Sequence, residues 1–520
     1  GIAASRMASG DEAGAIAALT QLSEKDGKSH QADVLLVLTH VKAKRYDEAL
    51  KVIDKLSGKN PRLALAENLR GAVYVARNEI PQAQQSFLKA LEYDPGYLPA
   101  ASNLARIDLS NKDIKSARSR FTAVLKQNPD NARALTALAE LAALEKNEPE
   151  HLKYVEQAIK AEPKNLQARR MIVRYWLLKR DAGKALVAAR AAKDATGSPE
   201  FLEQIGAAQQ LQGDPASALS TYGQWTEASP NSPLPYFRLA QLQQHEKDTS
   251  AALESLDKAL TIRPDFAEAS MSKAILLAQS GKPDVGIKIA RALQSKYPKA
   301  AAGTLTEADI LAGTKKYADA GKLYVKATQM TGQGQFLIRA NQAYKAAGQA
   351  AEGEKQLEQW IKAHPEDTPV RHALAQNLLD GKHLKEAADH YRILVKANPS
   401  DLIANNNLAW LLGELKDPGA LAAAEQTYKL APKNAAVLDT YGWQLTMAGQ
   451  AKRGLPYMRE ALGIAPDNPE LRWHLAATLE KTGEKREAMT ELDRLLTSGK
   501  PFPQEAQARA LLQQLRSSNH

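Results

Sequence analysis

The sequence has no cysteine among its 520 residues. This absence excludes disulfide bonds, thiolate metal sites and a cysteine nucleophile. No apolar stretch approaches the roughly 20 residues of a membrane-spanning helix, because charged or amide side chains interrupt every segment rich in leucine and alanine. Aromatic residues make up only 6% of the chain, and the net charge of +10 is modest for this length. This charge is compatible with binding of an acidic partner, but it does not by itself indicate binding of nucleic acid.

Motifs of common catalytic sites are also missing. The sequence contains no HExxH, no phosphate loop of the type GxxxxGK(S/T), no GxSxG and no GxGxxG after a strand. The ten histidines are scattered along the chain. We predict a protein that is not an enzyme and that has no cofactor and no metal site.

Prolines recur at an almost constant interval. Most neighbouring members of the series are 34 residues apart, and two gaps of 67 residues each correspond to a pair of units. The series is Pro61, Pro95, Pro129, Pro163, Pro230, Pro264, Pro298, Pro365, Pro399, Pro432 and Pro466. A period of 34 residues is the length of a tetratricopeptide repeat (TPR), which consists of two antiparallel helices.

Small residues recur within the same period. Alanines stand where the second helix of each unit must approach the first: Ala83, Ala117, Ala218, Ala252, Ala320, Ala387 and Ala488. Glycines stand between the paired helices, where positive φ ends the first helix: Gly213, Gly281, Gly348, Gly449 and Gly483. The chain resembles TPR proteins over nearly its whole length. We predict an all-α, right-handed superhelical TPR solenoid with fourteen units and a C-terminal capping helix.

The pattern also predicts how the chain is divided. Residues 1–29 resemble an N-terminally truncated unit, and 30–300 form the first part of the array. Residues 301–333 form a degenerate unit, because they contain several glycines and carry Glu307 where a large apolar residue is usual. We predict a possible hinge there. The array continues through 334–500, and 501–520 form the capping helix and tail.

In TPR arrays the first helix of each unit lines a concave groove, mainly through positions 2, 5, 6, 9, 12 and 13 of the unit. Trp410 and Trp443 occupy position 9 of consecutive units, and Trp473 lies one helical turn earlier in the next unit. Polar residues accompany them at groove positions: Asn406, Asn407, Asp439, Thr440, His474, His372 and Gln376. Indole faces separated by hydrogen-bonding groups suit a chain of sugar rings or a peptide. We predict a ligand-binding groove; the alternative is that the tryptophans pack between neighbouring first helices.

A second, basic set of groove positions lies earlier in the chain. Arg170 and Arg174 are one helical turn apart, and Asn103 and Arg106 occupy groove positions of an earlier unit. These four residues form a candidate secondary basic groove for an anionic stripe. The alternative is a solvated basic face.

Four short motifs lie in the last hundred or so residues: NNLAW at 406–410, LDTYGW at 438–443, RGLP at 453–456 and HLA at 474–476. This region is similar to the C-terminal region of PrsT-type TPR proteins of exosortase/PEP-CTERM loci in Gram-negative bacteria. The remainder matches only generic TPR sequence.

The narrower resemblance implies a scaffold of the bacterial cell envelope that assists exopolysaccharide assembly or export. Its partner would be the polysaccharide or a protein of the synthesis and export complex, and not nucleic acid. The resemblance implies a periplasmic lipoprotein whose only membrane association is an N-terminal anchor missing from this sequence. Two alternatives are the periplasmic TPR portion of an outer-membrane polysaccharide porin, and a cytosolic peptide-binding adaptor or co-chaperone.

Overall fold

The computed structural model describes residues 12–25 and 30–517. Within these ranges the chain forms 30 α-helices and no strand, so the predicted all-α TPR solenoid is confirmed. None of these helices combines the length and the apolar character needed to cross a membrane. Two compact units divide the chain, Gly1–Pro264 and Asp265–His520.

The first unit contains fifteen described helices. They are α1 (Glu12–Lys25), α2 (Gln31–Lys42), α3 (Tyr46–Lys59), α4 (Ala64–Ala76), α5 (Ile80–Tyr93), α6 (Leu98–Ser110), α7 (Ile114–Gln127), α8 (Ala132–Leu144), α9 (Glu148–Ala161), α10 (Leu166–Leu178), α11 (Ala182–Thr196), α12 (Phe201–Leu211), α13 (Pro215–Ala228), α14 (Pro233–His245) and α15 (Thr249–Ile262).

The second unit contains the other fifteen helices of the described chain. They are α16 (Ala267–Gln279), α17 (Pro283–Lys296), α18 (Ala302–Gly313), α19 (Tyr317–Thr331), α20 (Gln335–Ala346), α21 (Ala350–Ala363), α22 (Thr368–Asp380), α23 (Leu384–Ala397), α24 (Leu402–Glu414), α25 (Ala420–Leu430), α26 (Ala435–Met447), α27 (Ala451–Ile464), α28 (Pro469–Thr482), α29 (Lys485–Thr497) and α30 (Glu505–Ser517).

From α2 to α29 the helices form pairs, and each even-numbered helix is the first helix of a repeat. The seven predicted alanines of the second helices are all 0% exposed: Ala83, Ala117, Ala218, Ala252, Ala320, Ala387 and Ala488. Their predicted burial is confirmed. A methyl side chain lets two helix backbones approach, while larger residues such as Phe87 and Tyr391 fill the space beside them.

The turn between the paired helices contains one residue with positive φ. The five predicted glycines have φ between 72° and 88°, which confirms their role: Gly213, Gly281, Gly348, Gly449 and Gly483. The other repeats place a different residue at this point, with φ between 54° and 64°: Lys44, Asn78, Lys112, Lys146, Arg180, Lys247, Lys315, Lys382 and Lys416. We call these residues the turn cations, Asn78 excepted. All of them are exposed.

The predicted degenerate repeat at 301–333 consists of helices α18 and α19 and lies inside the second compact unit of the chain. Its glycines permit close contacts: a Cβ on Gly303 would lie 2.8 Å from the carbonyl oxygen of Ala290, and one on Gly321 would lie 2.9 Å from the ring of Tyr344. Gly332 ends α19 with φ 66°. These contacts explain the glycines by packing, and the predicted hinge stays a prediction.

Glu307 is also explained by its contacts. It is 5% exposed, and its carboxylate accepts hydrogen bonds from Arg291 at 2.8 Å and from Gln294 at 2.7 Å. Both donors belong to α17, the second helix of the preceding repeat. A buried carboxylate is tolerated where charge and hydrogen-bonding partners surround it. Glu307 therefore links two repeats through a polar contact.

An arginine near the start of a first helix bonds back to the proline that closes the preceding repeat. Arg371 donates to the carbonyl oxygen of Pro365 at 2.7 Å, and Arg472 donates to that of Pro466 at 2.8 Å. Their second partners differ. Arg472 forms an ion pair with Glu491, whereas the residue at the same spacing from Arg371 is His390, which accepts through Nδ1 at 3.0 Å. The buried Nε of Arg371 has no hydrogen-bond acceptor in the described chain.

We expect His390→Glu to stabilise the protein by about 1 kcal/mol at neutral pH, because it supplies Arg371 with a carboxylate. Burial, and then the charge of Arg371, lower the pKa of His390 from its ordinary 6.5. The unfolded chain therefore takes up this proton before the folded chain does, and the wild-type protein loses stability as the pH falls below 6.5 toward the folded pKa. Thermal unfolding at pH 7.5 and pH 5.5 measures both effects.

The reciprocal change Glu491→His is the matched control. It should destabilise the protein, since Arg472 would lose its carboxylate. Equal stability of wild type and His390→Glu at both pH values would contradict the prediction.

Candidate ligand-binding surface

The three tryptophans of the predicted groove lie on the first helices α24, α26 and α28 of the second unit. Each is half-buried. Trp410 packs against the apolar cluster that includes Leu374 and Leu408. Trp443 and Trp473 pack against a second apolar cluster, which includes Leu438 and Leu475. The indoles therefore contribute to packing between repeats and keep only part of their surface exposed.

Trp443 is held by a specific contact with the next repeat. The imidazole of His474 stacks on its indole, with ring centroids 4.4 Å apart and planes inclined by 20°. The Nδ1 atom of His474 lies 2.9 Å from both carboxylate oxygens of Asp439. Asp439, His474 and Trp443 thus form one cluster that joins α26 to α28. One indole face of Trp443 is covered by this imidazole, so a ligand could stack only on the other.

The predicted polar residues differ in how accessible they are. Thr440 is 5% exposed and His474 is 8% exposed, so neither side chain forms much of the groove surface. Asn406, Asn407 and Asp439 are half-buried. The position numbering of a repeat fixes which side of a helix a residue occupies, but the packing of the adjacent helix decides whether that side is open.

A chain of hydrogen bonds crosses three successive first helices. Asn407 of α24 donates to the hydroxyl of Tyr391 at 2.9 Å, and that hydroxyl donates to Gln376 of α22 at 3.4 Å. Gln376 donates to Asp380 at 2.8 Å, and Lys345 of α20 donates to the same carboxylate at 2.7 Å. Burial acts to raise the pKa of Asp380, but the bonds from Lys345 and Gln376 outweigh it and lower that pKa. These hydrogen bonds fix the side chains of the surface relative to one another.

His372 is fixed by the next repeat. Its Nε2 lies 2.6 Å from a carboxylate oxygen of Asp401, and its ring meets that of Tyr391 edge-on at 6.3 Å. Asp401 also caps α24 by accepting from the amide of Ala404 at 3.0 Å. Burial acts to raise the pKa of Asp401, whereas the Ala404 amide and His372 lower it further than burial raises it. His372 and Gln376 therefore support the surface from α22.

Three consecutive asparagines, Asn405 to Asn407, lie near the start of α24, and their side chains have different environments. Asn405 donates to the carbonyl oxygens of Pro399 and Asp401, at 3.1 and 2.8 Å. Asn407 donates to Tyr391. Between them, the Oδ1 atom of Asn406 is buried and accepts no hydrogen bond from any residue that the structure describes. A buried acceptor without a donor costs about 1–3 kcal/mol, so any donor that reached this oxygen would stabilise the structure.

The four residues of the predicted secondary basic groove have separate hydrogen-bonding partners, and a role in binding stays a prediction. Arg106 donates to Asn103 at 3.1 Å, and Asn103 donates to Asn68 at 3.0 Å. Arg170 forms a bidentate ion pair with Glu200, in which two guanidinium nitrogens donate to the two carboxylate oxygens at 3.0 and 2.6 Å. This ion pair raises the pKa of Arg170. Arg174 is exposed. Among the described residues, no hydrogen bond or ion pair joins Asn103 or Arg106 to Arg170 or Arg174, and Glu200 forms an ion pair with Arg170.

Three tyrosines of the second helices form polar contacts that were not predicted from the sequence. Tyr222, Tyr324 and Tyr391 occupy the same place in their repeats, and each hydroxyl bonds to a residue of its own first helix: Gln210, Asp309 and Gln376. Burial raises the pKa of Tyr222 to about 12. Phenylalanine occupies this place in other repeats, as Phe87 and Phe121. The alternation of tyrosine and phenylalanine at this place could have indicated these contacts from the sequence. A buried tyrosine hydroxyl needs a hydrogen-bonding partner, whereas phenylalanine has no hydroxyl to satisfy.

Sequence comparison agrees with this architecture. The family described as Tetratricopeptide repeat matches residues 6–73, 74–150, 235–266, 372–437 and 445–515, which together exceed half of the chain. The chain belongs to the tetratricopeptide-repeat superfamily. No curated protein matches this TPR chain significantly.

Two solved structures similar to this TPR chain differ greatly in coverage. A chain from the structure of Naa15/Naa10 bound to HypK-THB has 12% sequence identity and a TM-score of 0.36, with 99% of this chain and 96% of that chain covered. The pilF protein of Pseudomonas aeruginosa has 18% identity and a TM-score of 0.33, with 41% of this chain and 96% of that chain covered.

Proposed function

We propose that this chain is a non-enzymatic TPR scaffold whose ligand binds on the first helices α22 to α28 of the second unit. TPR repeats serve as protein–protein interaction scaffolds. The observation that carries the proposal is the unpartnered, buried Oδ1 of Asn406, which lies next to Asn407 and one turn before the half-exposed Trp410. A ligand that donates a hydrogen bond to this oxygen, once the Asn406 side chain turns toward the surface, would remove the cost of the unpartnered acceptor.

We further propose that the scaffold belongs to an exopolysaccharide assembly or export system of a bacterial envelope, with a periplasmic, lipid-anchored location. The resemblance of the last hundred residues to PrsT-type proteins supports this assignment. The ligand is then the polysaccharide or a protein of the export complex. Sugar hydroxyls and peptide amides both donate hydrogen bonds, and both are compatible with an indole beside the donor site.

Replacing Asn406 by leucine tests the binding surface. The change removes the buried acceptor and keeps a similar shape, so we expect stability to be unchanged or raised and ligand affinity to fall about tenfold. Thermal unfolding gives the first quantity. Calorimetric titration with purified exopolysaccharide, and pull-down of envelope proteins from the same organism, give the second.

Gln426→Leu is the matched control, because Gln426 is an exposed amide on the second helix α25. It should leave binding unchanged in both assays. A destabilised Asn406→Leu protein that binds both ligands as well as wild type does would make Asn406 a structural residue and would contradict the proposal.

A further inference from the structure

Gln444 of α26 packs into a gap on the neighbouring first helix α24. The gap exists because residue 413 of α24 is glycine: a Cβ on Gly413 would collide with Nε2 of Gln444 and would lie 2.6 Å from its Oε1. Gln444 is 5% exposed, so its carboxamide lies almost wholly between the two helices. Neither the nitrogen nor the oxygen of this carboxamide forms a hydrogen bond with any residue that the structure describes.

Thr440 lies one turn before Gln444 on the same face of α26 and has the same two properties. It is 5% exposed, and its hydroxyl, unlike that of Thr446, forms no hydrogen bond within residues 12–25 and 30–517. The polar atoms that lack both a partner and contact with solvent belong to other residues, so the polar groups of Thr440 and Gln444 reach the surface. They are therefore open to a ligand.

Two larger side chains lie beside these groups. Trp410 precedes Gly413 by one turn on α24 and is half-buried, and Met447 follows Gln444 by one turn on α26 and is 59% exposed. Residues three or four apart share a face of a helix, so both side chains lie on the faces that carry Gly413 and Gln444. We call the space bounded by Trp410, Gly413, Thr440, Gln444 and Met447 the α24–α26 cleft.

The α24–α26 cleft lies between two helices that carry no lysine, arginine or histidine. Their carboxylates are Glu414, which is exposed beside Gly413, and Asp439, whose two oxygens lie 2.9 Å from Nδ1 of His474. An anionic chain would meet like charge there and no cation on either helix. The unpartnered groups are a hydroxyl and a carboxamide, so they suit a ligand without charge.

We propose that the α24–α26 cleft binds a neutral sugar residue of a glycan, an inference that rests on the proposed ligand surface of α22 to α28. A sugar hydroxyl both donates and accepts, so it can bond to the Thr440 hydroxyl in either direction. Two neighbouring sugar hydroxyls can meet the nitrogen and the oxygen of the Gln444 carboxamide. The apolar C–H face of the ring lies against the exposed part of the Trp410 indole.

A peptide matches the same groups less well. Its backbone offers one donor and one acceptor per residue, each with a single role and at a fixed spacing along the chain. The Thr440 hydroxyl and both atoms of the Gln444 carboxamide would have to coincide with that spacing. The cleft therefore fits hydroxyls of a sugar ring better than backbone amides.

Calorimetric titration with cellohexaose, laminarihexaose and maltohexaose tests the inference. Hexagalacturonate represents an acidic sugar, and an uncharged Ser/Gln peptide represents a polypeptide. We expect at least one neutral hexasaccharide to bind, and hexagalacturonate to bind at least about tenfold more weakly. Thr440→Val and Gln444→Met keep nearly the same shape, and each should weaken binding of the neutral sugar about fivefold without lowering the melting temperature.

Thr446→Val is the matched control on the same helix. The Thr446 hydroxyl donates to the carbonyl oxygen of Gly442 at 2.8 Å and lies 3.1 Å from the hydroxyl of Thr478, so its loss should lower the melting temperature and leave sugar affinity unchanged. Gly413→Ala keeps both unpartnered groups but displaces the carboxamide of Gln444. It should therefore weaken sugar binding as Gln444→Met does.

Two results would overturn the inference: none of the neutral hexasaccharides binds, or the one that binds does so equally well to wild type, Thr440→Val and Gln444→Met. Binding of the Ser/Gln peptide that depends on Gln444, without sugar binding, would assign the cleft to a polypeptide and leave the scaffold proposal in place. Failure of the proposed function is a separate result, because it is measured on Asn406→Leu with purified exopolysaccharide and envelope proteins.

Discussion

Gly454→Ala is expected to destabilise the protein by about 3 kcal/mol, although alanine favours helices. Gly454 lies in α27, and a Cβ there would lie 2.5 Å from the carbonyl oxygen of Gly442 in α26 and 2.7 Å from the hydroxyl oxygen of Thr446. The nearest obstacle is backbone, so the two helices would have to separate. Their contact also includes Met458, which is 0% exposed. Thermal or denaturant unfolding measures the loss.

Gly463→Ala provides the control within the same helix. Gly463 is exposed, and a Cβ at that point would meet no atom within 4 Å. We expect a gain of about 0.5–1 kcal/mol, since only the helix preference of alanine then counts. The two substitutions are chemically identical, and the prediction is that they change stability in opposite directions. Similar changes at both positions would show that the contact between α26 and α27 is looser than described.

Trp443→Ala is expected to lower the free energy of unfolding by about 3 kcal/mol. The indole packs against the cluster that includes Leu438 and Leu475, and it also covers one face of the buried imidazole of His474. Trp443→Phe should recover most of the loss, because a phenyl ring keeps the stacking contact. Chemical denaturation of the three proteins, with ligand titration in parallel, separates stability from affinity.

If Trp443 instead contacts the ligand directly, its substitution should reduce ligand affinity more than stability. If the exposed part of the indole carried most of its function, Trp443→Ala would lose ligand affinity and less than about 1 kcal/mol of stability. Trp410→Ala provides the comparison one repeat earlier, where no stacked histidine is present in the described structure. Such a result would replace the structural assignment of Trp443.

The repeated fold could be predicted because its determinants are local and periodic. The spacing of the prolines located the closing turns, and alanines such as Ala117 marked the contact between paired helices. Both features depend on residue size and on backbone conformation, which recur in each repeat. The turn cations were not predicted, because nothing in lysine or arginine favours a positive φ.

The candidate site was predicted only in part. The helix positions placed Trp410, Asn407 and Asp439 on first helices, as observed. They did not reveal the burial of Thr440 and His474, because the side chains of one repeat are covered by those of the next, and this contact has no period within a single repeat. The unpartnered acceptor of Asn406 likewise requires knowledge of every neighbouring donor. Ligand specificity, localisation and the hinge stay predictions.

The turn cations contribute to the net charge of the chain but form no ion pair that holds its helices together. Their side chains are exposed and none forms an ion pair with a described residue, while five other turns of the array use glycine at the same point. Replacing all eight by glycine would change the formal net charge from +10 to +2 and would remove no side-chain hydrogen bond or ion pair within the described chain. Solubility and non-specific attraction to acidic molecules can therefore vary among such arrays without any change in the repeat itself.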